Sequence, residues 1–222
     1  MAMQKRGMVI GNYDTAARLW TLTGWTLSDP AQVTSLLDIP GRRKGPLDLS
    51  TANTDGDPVY GSRTLEATFE TSEGDRPERE ERISYMVNAL DGYELEITLP
   101  DDPHRFIVGR VSVKRIYNDM THASVAVAAT CEPWRYSAAE TVVVLVAETA
   151  SKSAMLVNTG RLAVVPTLTV SGGDVRLVVG NTSKAMSPGT YIMPDLLLPK
   201  GGVAITYSGT GTLVVTYREG VL

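Results

Sequence analysis

The chain has 222 residues, 43% hydrophobic and 21% charged, with a formal net charge of -4, the balance of an ordered globular protein with material for one large core or two smaller ones. A mildly acidic chain is a poor broad binder of nucleic-acid backbone, although it is suited to line a conduit that nucleic acid passes without sticking. No apolar run reaches the roughly 18 residues of a membrane helix; the N-terminal Met1–Gly7 lacks a signal-peptide core, and the single Cys131 leaves no internal disulfide framework, so no membrane insertion and synthesis in a cytoplasm are expected.

In chain order, Trp20 and Trp25 come first and precede the clear strands. Both are read as packing residues, as is Trp134, because tryptophan usually buries most of its surface. Gly41–Pro58 is the least regular stretch of the first half. It holds Arg42, Arg43 and Lys44, then Asp48, Asp55 and Asp57, among glycines and prolines. A loop this long inside a compact domain is usually functional or disordered. Its basic cluster reads as a solvated loop or as a docking point for an acidic protein partner. Asn53–Asp57 is faintly similar to a calcium loop, but the other spaced ligands and the closing Glu are missing, so an Asx-type turn is the reading.

Leu65, Ala67 and Phe69 then alternate with Glu66, Thr68 and Glu70, a strand with one face in a core. A helix follows. Asp75 caps it, Glu78 completes a capping box, and Pro77 in the first turn gives up no helical hydrogen bond. Ile83, Met86, Val87 and Leu90 fall on one face, Arg79, Glu80, Glu81 and Arg82 on the solvated side, and Gly92 ends the helix. Tyr93, Leu95, Ile97 and Leu99 alternate inward on a second strand, and Asp101-Asp102-Pro103 reads as a hairpin turn. Phe106–Val113 is a third strand with Gly109 as a bulge, and Ser124–Thr130 is a fourth that points Val125, Val127 and Ala129 inward. This order predicts an α+β unit or a barrel with one packed helix.

After Pro133 the texture changes. Thr141–Ala147 is a β-branched run, and short strands follow at Thr167–Val170, Val175–Val179, Thr190–Met193, Val203–Tyr207 and Thr212–Arg218, separated by Gly-rich turns. That pattern predicts a β-sandwich, with the boundary near Trp134–Glu140. We place an N-terminal domain at 1–136 and a C-terminal domain at 137–222.

Chemistry is thin along the whole chain. The two histidines, His104 and His122, and Cys131 belong to no local motif; Cys131 reads as a small apolar residue in a strand. There is no G-x-S-x-G elbow, no phosphate-cradling glycine loop, and no cysteine or histidine pair with zinc spacing. The expectation is no enzyme, no cofactor and no metal.

The order of short segments is more specific. Leu37-Asp38-Ile39-Pro40-Gly41, Gly45-Pro46-Leu47-Asp48-Leu49-Ser50 and Tyr60-Gly61-Ser62-Arg63-Thr64-Leu65 resemble the first third of phage distal tail proteins, the Dit family. That family continues with one helix, here Arg76–Leu90, and a stretch similar to Asp101–Val111. It often closes its first domain on a Cys-x-Pro-x-x-Tyr signature, which Cys131–Tyr136 resembles. Asn158-Thr159-Gly160, Pro166 before a strand, and the ending Thr216–Leu222 resemble its second half.

The resemblance implies a mostly β protein: an N-terminal split β-barrel with one packed α-helix, akin to tail-tube subunits, and a C-terminal galectin-like β-sandwich. It implies a structural virion protein of a siphophage tail tip. Six-fold rings of it would join the tail-tube protein to the tail-tip hub or baseplate, leave a channel for DNA ejection, and neighbour tape-measure and receptor-binding or fibre proteins. Arg42, Arg43, Lys44, Asp55 and Asp57 are the candidate ring-interface loop. The alternatives are a carbohydrate-binding module for host attachment and a tail-tube subunit.

Overall fold

The structure, a computed structural model, describes residues 7–40, 44–52, 54 and 57–222. It divides into two compact units, Met1–Pro133 and Trp134–Leu222. The fold is mostly β with one helix.

The first unit contains β1 (Val9–Ile10), β2 (Tyr13–Asp14), β3 (Thr21–Leu27), β4 (Leu36–Leu37), β5 (Leu47–Asp48), β6 (Arg63–Thr71), α1 (Arg76–Leu90), β7 (Glu94–Thr98), β8 (Arg105–Asn118) and most of β9 (Ala123–Ser137). All but β4 and β5 of these strands form one curled sheet in the order β2-β1-β7-β8-β9-β6-β3. The period-two alternation works as expected. Leu65, Ala67 and Phe69 of β6 and Val125, Val127 and Ala129 of β9 are buried on one face and share a core with Ile10, Trp20, Ile97, Ile107 and Val111. Trp20 is fully buried and donates from Nε1 to Tyr13 Oη at 3.0 Å.

α1 covers that face and packs chiefly on β8. Its start is the expected capping box: Glu78 N donates to Asp75 Oδ1 at 2.9 Å and Asp75 N to Glu78 Oε2 at 3.1 Å. Ile83, Met86 and Leu90 are buried, Val87 half-buried. Replacing Leu90 with Ala should lower the unfolding free energy by about 2–5 kcal/mol, read from urea denaturation; a loss well below that range would mean that this face is not sealed.

Three expectations need correction. Arg79 is not on the solvated side; it is 2% exposed, because its guanidinium reaches back over the capping turn to the carbonyls of Gly74, Asp119 and Met120. Gly109 makes no bulge against β7. The β7–β8 register runs through it unbroken, and a Cβ there would lie 2.5 Å from Cys131 Sγ, so the glycine allows close approach of a neighbouring strand. The irregularity falls instead in β3, between Leu22 and Gly24. Tyr93, finally, is 58% exposed; it precedes β7 and contributes its carbonyl, which accepts from Val111 N at 2.8 Å.

The second unit adds β10 (Thr141–Val146), β11 (Lys152–Leu156), β12 (Thr167–Ser171), β13 (Val175–Val179), β14 (Thr182–Met186), β15 (Gly189–Ile192), β16 (Val203–Gly209), β17 (Thr212–Tyr217) and β18 (Gly220–Val221). Two four-stranded sheets, β10-β17-β12-β15 and β11-β16-β13-β14, enclose one core that includes Leu145, Leu168, Leu177, Ile205, Leu213 and Val215. β18 pairs with Arg135 and Tyr136 at the end of β9. Asn158 fixes the loop before β12: its Nδ2 donates to Leu162 O at 2.8 Å and Leu198 O at 2.9 Å, and its Oδ1 accepts from Gly160 N; the loop in turn holds the C-terminus, Arg161 N donating to Gly220 O at 2.8 Å. Thr159 N donates to Glu219 Oε1 at 2.9 Å. A fragment Trp134–Leu222 is expected to fold alone; a far-UV circular dichroism spectrum of a disordered chain would contradict this.

Candidate interaction surfaces

Between β3 and β6 the chain leaves the sheet as a hairpin arm. Its base is closed by Gly61 N donating to Ala31 O, Val33 N to Val59 O, and the bridge of Gln32 to Tyr60. Farther out, β4 pairs with β5 through Leu36↔Asp48 and Leu37↔Leu47. Asp48 ties the hairpin locally: its carboxylate accepts from Ser50 N at 2.8 Å, and its hydrogen bonds with Ser50 hold it below the usual carboxylate range. Ser50 Oγ in turn accepts from Ser35 N.

Arg63, inside the Tyr60–Leu65 segment singled out in the sequence, anchors this arm. It is 5% exposed and donates from Nε to Ser28 O at 3.0 Å, while Ser28 N donates to Thr64 O and Thr64 N to Ser28 Oγ. One buried guanidinium thus grips the outgoing leg of the arm from the strand where the other leg returns. Sequence reading missed this role, because a lone arginine in a strand carries no periodic signal.

The arm is unusual in what it exposes. Val33, Leu36, Leu37, Ile39, Leu49 and Val59 are all exposed, and none belongs to the core of the first unit. Exposed apolar side chains repeated along one hairpin mark a candidate contact surface. Of the residues expected in the interface loop, Lys44 and Asp57 lie on this arm and are exposed; Arg42, Arg43 and Asp55 lie outside the described residues, as does most of the calcium-like stretch.

A second surface lies on the sandwich. β10 is an edge strand, and Val142, Val144 and Val146 point away from the core, with Val144 60% exposed. Register places Thr212, Val214 and Thr216 of β17, then Thr167 and Thr169 of β12, then Thr190 and Ile192 of β15, beside them on the same outward face. All of these are uncharged. Tyr207 and Tyr217 are buried, and Tyr191 is half-buried with its hydroxyl donating to Ser187 O at 2.8 Å. Among the described residues of this unit no aromatic side chain stands exposed as a sugar-stacking platform.

The three residues examined for chemistry are spread apart. His104 precedes β8 and His122 follows it, so the fourteen-residue strand between them sets them roughly 45 Å apart. His122 belongs to a turn capped by Asp119, whose carboxylate accepts from Thr121 N and His122 N. Cys131 is 1% exposed, and burial pushes its thiol up from 9.0 to about 11. The folded state holds this proton more tightly than the unfolded chain, so stability should fall as pH climbs from 9.0 toward 11. A thiol reagent at pH 8 should leave the folded protein unmodified and label it on unfolding; fast labelling of the folded protein would contradict this burial. Among the described residues no three His, Cys, Asp or Glu side chains cluster as metal ligands.

No protein-family model matches the sequence, and no curated protein matches it. Among solved structures, the chain is similar to the crystal structure of the SPP1 Dit (gp 19.1) protein, described as a paradigm of the hub adsorption apparatus in phages that infect Gram-positive bacteria. The match covers 96% of this chain and 98% of that one, with a TM-score of 0.63 and 18% identity. Over nearly its whole length, therefore, the chain has the fold of a phage distal tail protein.

Proposed function

We propose that the protein is a structural component of a long-tailed phage tail tip, a ring-forming adaptor between the tail tube and the tail-tip hub. The observation that carries this reading is the hairpin arm: six exposed apolar side chains on a segment whose described residues contribute nothing to the core. The edge strands β2 and β3 add unpaired backbone to the same unit. A cyclic ring joins unlike faces of successive copies, and a projecting arm supplies one of them. The family resemblance read in the sequence implies a six-membered ring on the virion and a galectin-like sandwich available to fibre or receptor-binding proteins, and the fold likeness to SPP1 Dit, a hub adsorption protein, supports a place in a tail-tip assembly.

A DNA channel is supported by charge. The sheet face opposite α1 carries Glu66, Glu70, Glu94, Glu96 and Glu132, against Arg110 and Lys114. Such a face repels a phosphate backbone and lets it slide past. The rival reading, a carbohydrate-binding module, wants an exposed aromatic with convergent polar groups, whereas the sandwich buries Tyr207 and Tyr217 and half-buries Tyr191. Native mass spectrometry of the purified chain across a concentration series tests the proposal: closed hexamers are expected to grow in with concentration. A strictly monomeric protein that binds a glycan array would favour the rival.

A further inference from the structure

We infer that β10 is a strand-addition site: its open edge takes an extended, uncharged, β-branched segment of another protein that carries a basic residue at each end. The site lies wholly in the second unit and does not depend on the ring. β10 has one neighbour in its sheet, β17. Ala147 N donates to Gly211 O at 2.9 Å, and the register from Thr141↔Tyr217 to Val146↔Thr212 is unbroken. In an antiparallel pair, residues bonded to the neighbour alternate with residues whose N–H and C=O point the other way. Thr141, Val143 and Leu145 therefore turn their backbone groups to β17. Val142, Val144 and Val146 turn theirs to the open edge, where they have no backbone partner among the described residues.

Exposed strand edges are normally guarded by charge, proline or a bulge, because they template pairing with another chain. The other three outer strands of the sandwich follow that rule. β11 opens on Lys152, β14 carries Lys184, and β15 lies between Pro188 and Pro194. β10 reads Thr-Val-Val-Val-Leu-Val in unbroken register and has none of these guards. Its outward side chains form an apolar row, with Val142, Val144 and Val146 at 55%, 60% and 60% exposure. Thr212, Val214 and Thr216 of β17 stand beside that row on the same face, without charge. An added strand bonds the free N–H and C=O groups and lays its own side chains along the valines, where β-branched residues pack best.

Charge decides what fills the edge. Exposed Glu140 immediately precedes β10, and exposed Glu148 stands just beyond its end, both in step with the three outward valines. Each holds one cation of its own unit, Arg218 and Lys152 respectively, and a carboxylate accepts more than one donor. Pairing of β10 with β10 of a second copy meets all the free backbone groups in one register only, Val144 opposite Val144 and Val142 opposite Val146. That register sets Glu140 opposite Glu148 at both ends, and like charges directly opposite one another are destabilising. A foreign strand with lysine or arginine at each end turns the same two positions into attractions.

The full chain and a synthetic peptide, Lys-Thr-Val-Thr-Val-Thr-Val-Thr-Lys, test this. With saturating peptide, residue-resolved hydrogen exchange should slow about tenfold at Val142, Val144 and Val146 and stay unchanged at Val143 and Leu145. The same peptide with glutamate in place of both lysines should bind about tenfold more weakly. Val144→Pro removes an edge donor at a position where proline is tolerated, and Val144→Lys supplies the missing guard; each should weaken the basic peptide by about tenfold or more. Val144→Lys changes no backbone group, so it decides the matter if the proline variant misfolds. No protection by the basic peptide, equal binding of the two peptides, or unaltered binding by Val144→Lys overturns the site. Protection of the three valines without peptide as the chain is concentrated, lost in Val144→Lys, overturns the choice of a foreign strand in favour of a second copy. None of these outcomes bears on the ring, whose proposed contact lies in the first unit.

Discussion

Replacing Arg79 with methionine is expected to lower the unfolding free energy by about 3 kcal/mol, because it takes the donor from several partly buried carbonyls at once. The side chain lies under the helix start, and its guanidinium donates to Asp119 O at 3.0 Å, Met120 O at 3.1 Å and Asn118 Oδ1 at 3.4 Å, besides Gly74 O. Methionine keeps the apolar stem but leaves those oxygens without donors. The carbonyls sit in turns, where water reclaims part of what is lost, so the penalty stays below the sum of its parts. Arg82, three residues on, is the control: it is half-buried and donates chiefly to Glu73 O at 2.9 Å. Arg82→Met should cost less than about 1 kcal/mol. Urea denaturation separates the two, through a shifted midpoint at unchanged slope. Equal shifts for both variants would show that the buried guanidinium does not hold the β8–β9 hairpin on the helix.

Excising the arm is expected to abolish the ring and spare the fold. Ala31 O and Gly61 N are already hydrogen-bonded at 2.8 Å, so a short Gly-Ser turn can join residues 31 and 61 without strain. A shorter loop also closes at slightly lower entropic cost. Among the described residues no arm side chain belongs to the core, and the Arg63–Ser28 clamp remains. The excised protein should therefore match the parent in circular dichroism and thermal unfolding, yet stay monomeric at concentrations where the parent forms rings. Rings that persist without the arm would move the contact to the sheet edges.

The sequence was legible where one local rule decided the outcome. The capping box of α1, the alternation of β6 and β9, and six strands of the sandwich, β10, β12, β13, β15, β16 and β17, follow from spacing alone, whereas β11 and β14, each opening on polar residues, did not register. Arg79 was misread because helical periodicity sorts residues by polarity, whereas this arginine buries itself by satisfying carbonyls from a hairpin about forty positions later in the chain. Gly109 was misread because a close strand approach and a bulge favour the same residue. β1, β2, β4 and β5 are two residues each, too short for any period to register. The candidate interface was half legible. An irregular loop stood out by composition, but its extent, its paired legs and its grip by Arg63 come from long-range pairing. The stacking of Arg18 on Tyr85, with Tyr13 beside them, joins positions some seventy residues apart and left no trace in the sequence.

Cryo-electron microscopy of the virion tests the ring at the tail tip most directly. A closed ring of this chain is expected around the tail axis, just below the tail tube, with the arm of each copy reaching its neighbour and the acidic sheet face toward the central channel. Isolated copies on side fibres, with no closed ring around the axis, would contradict it.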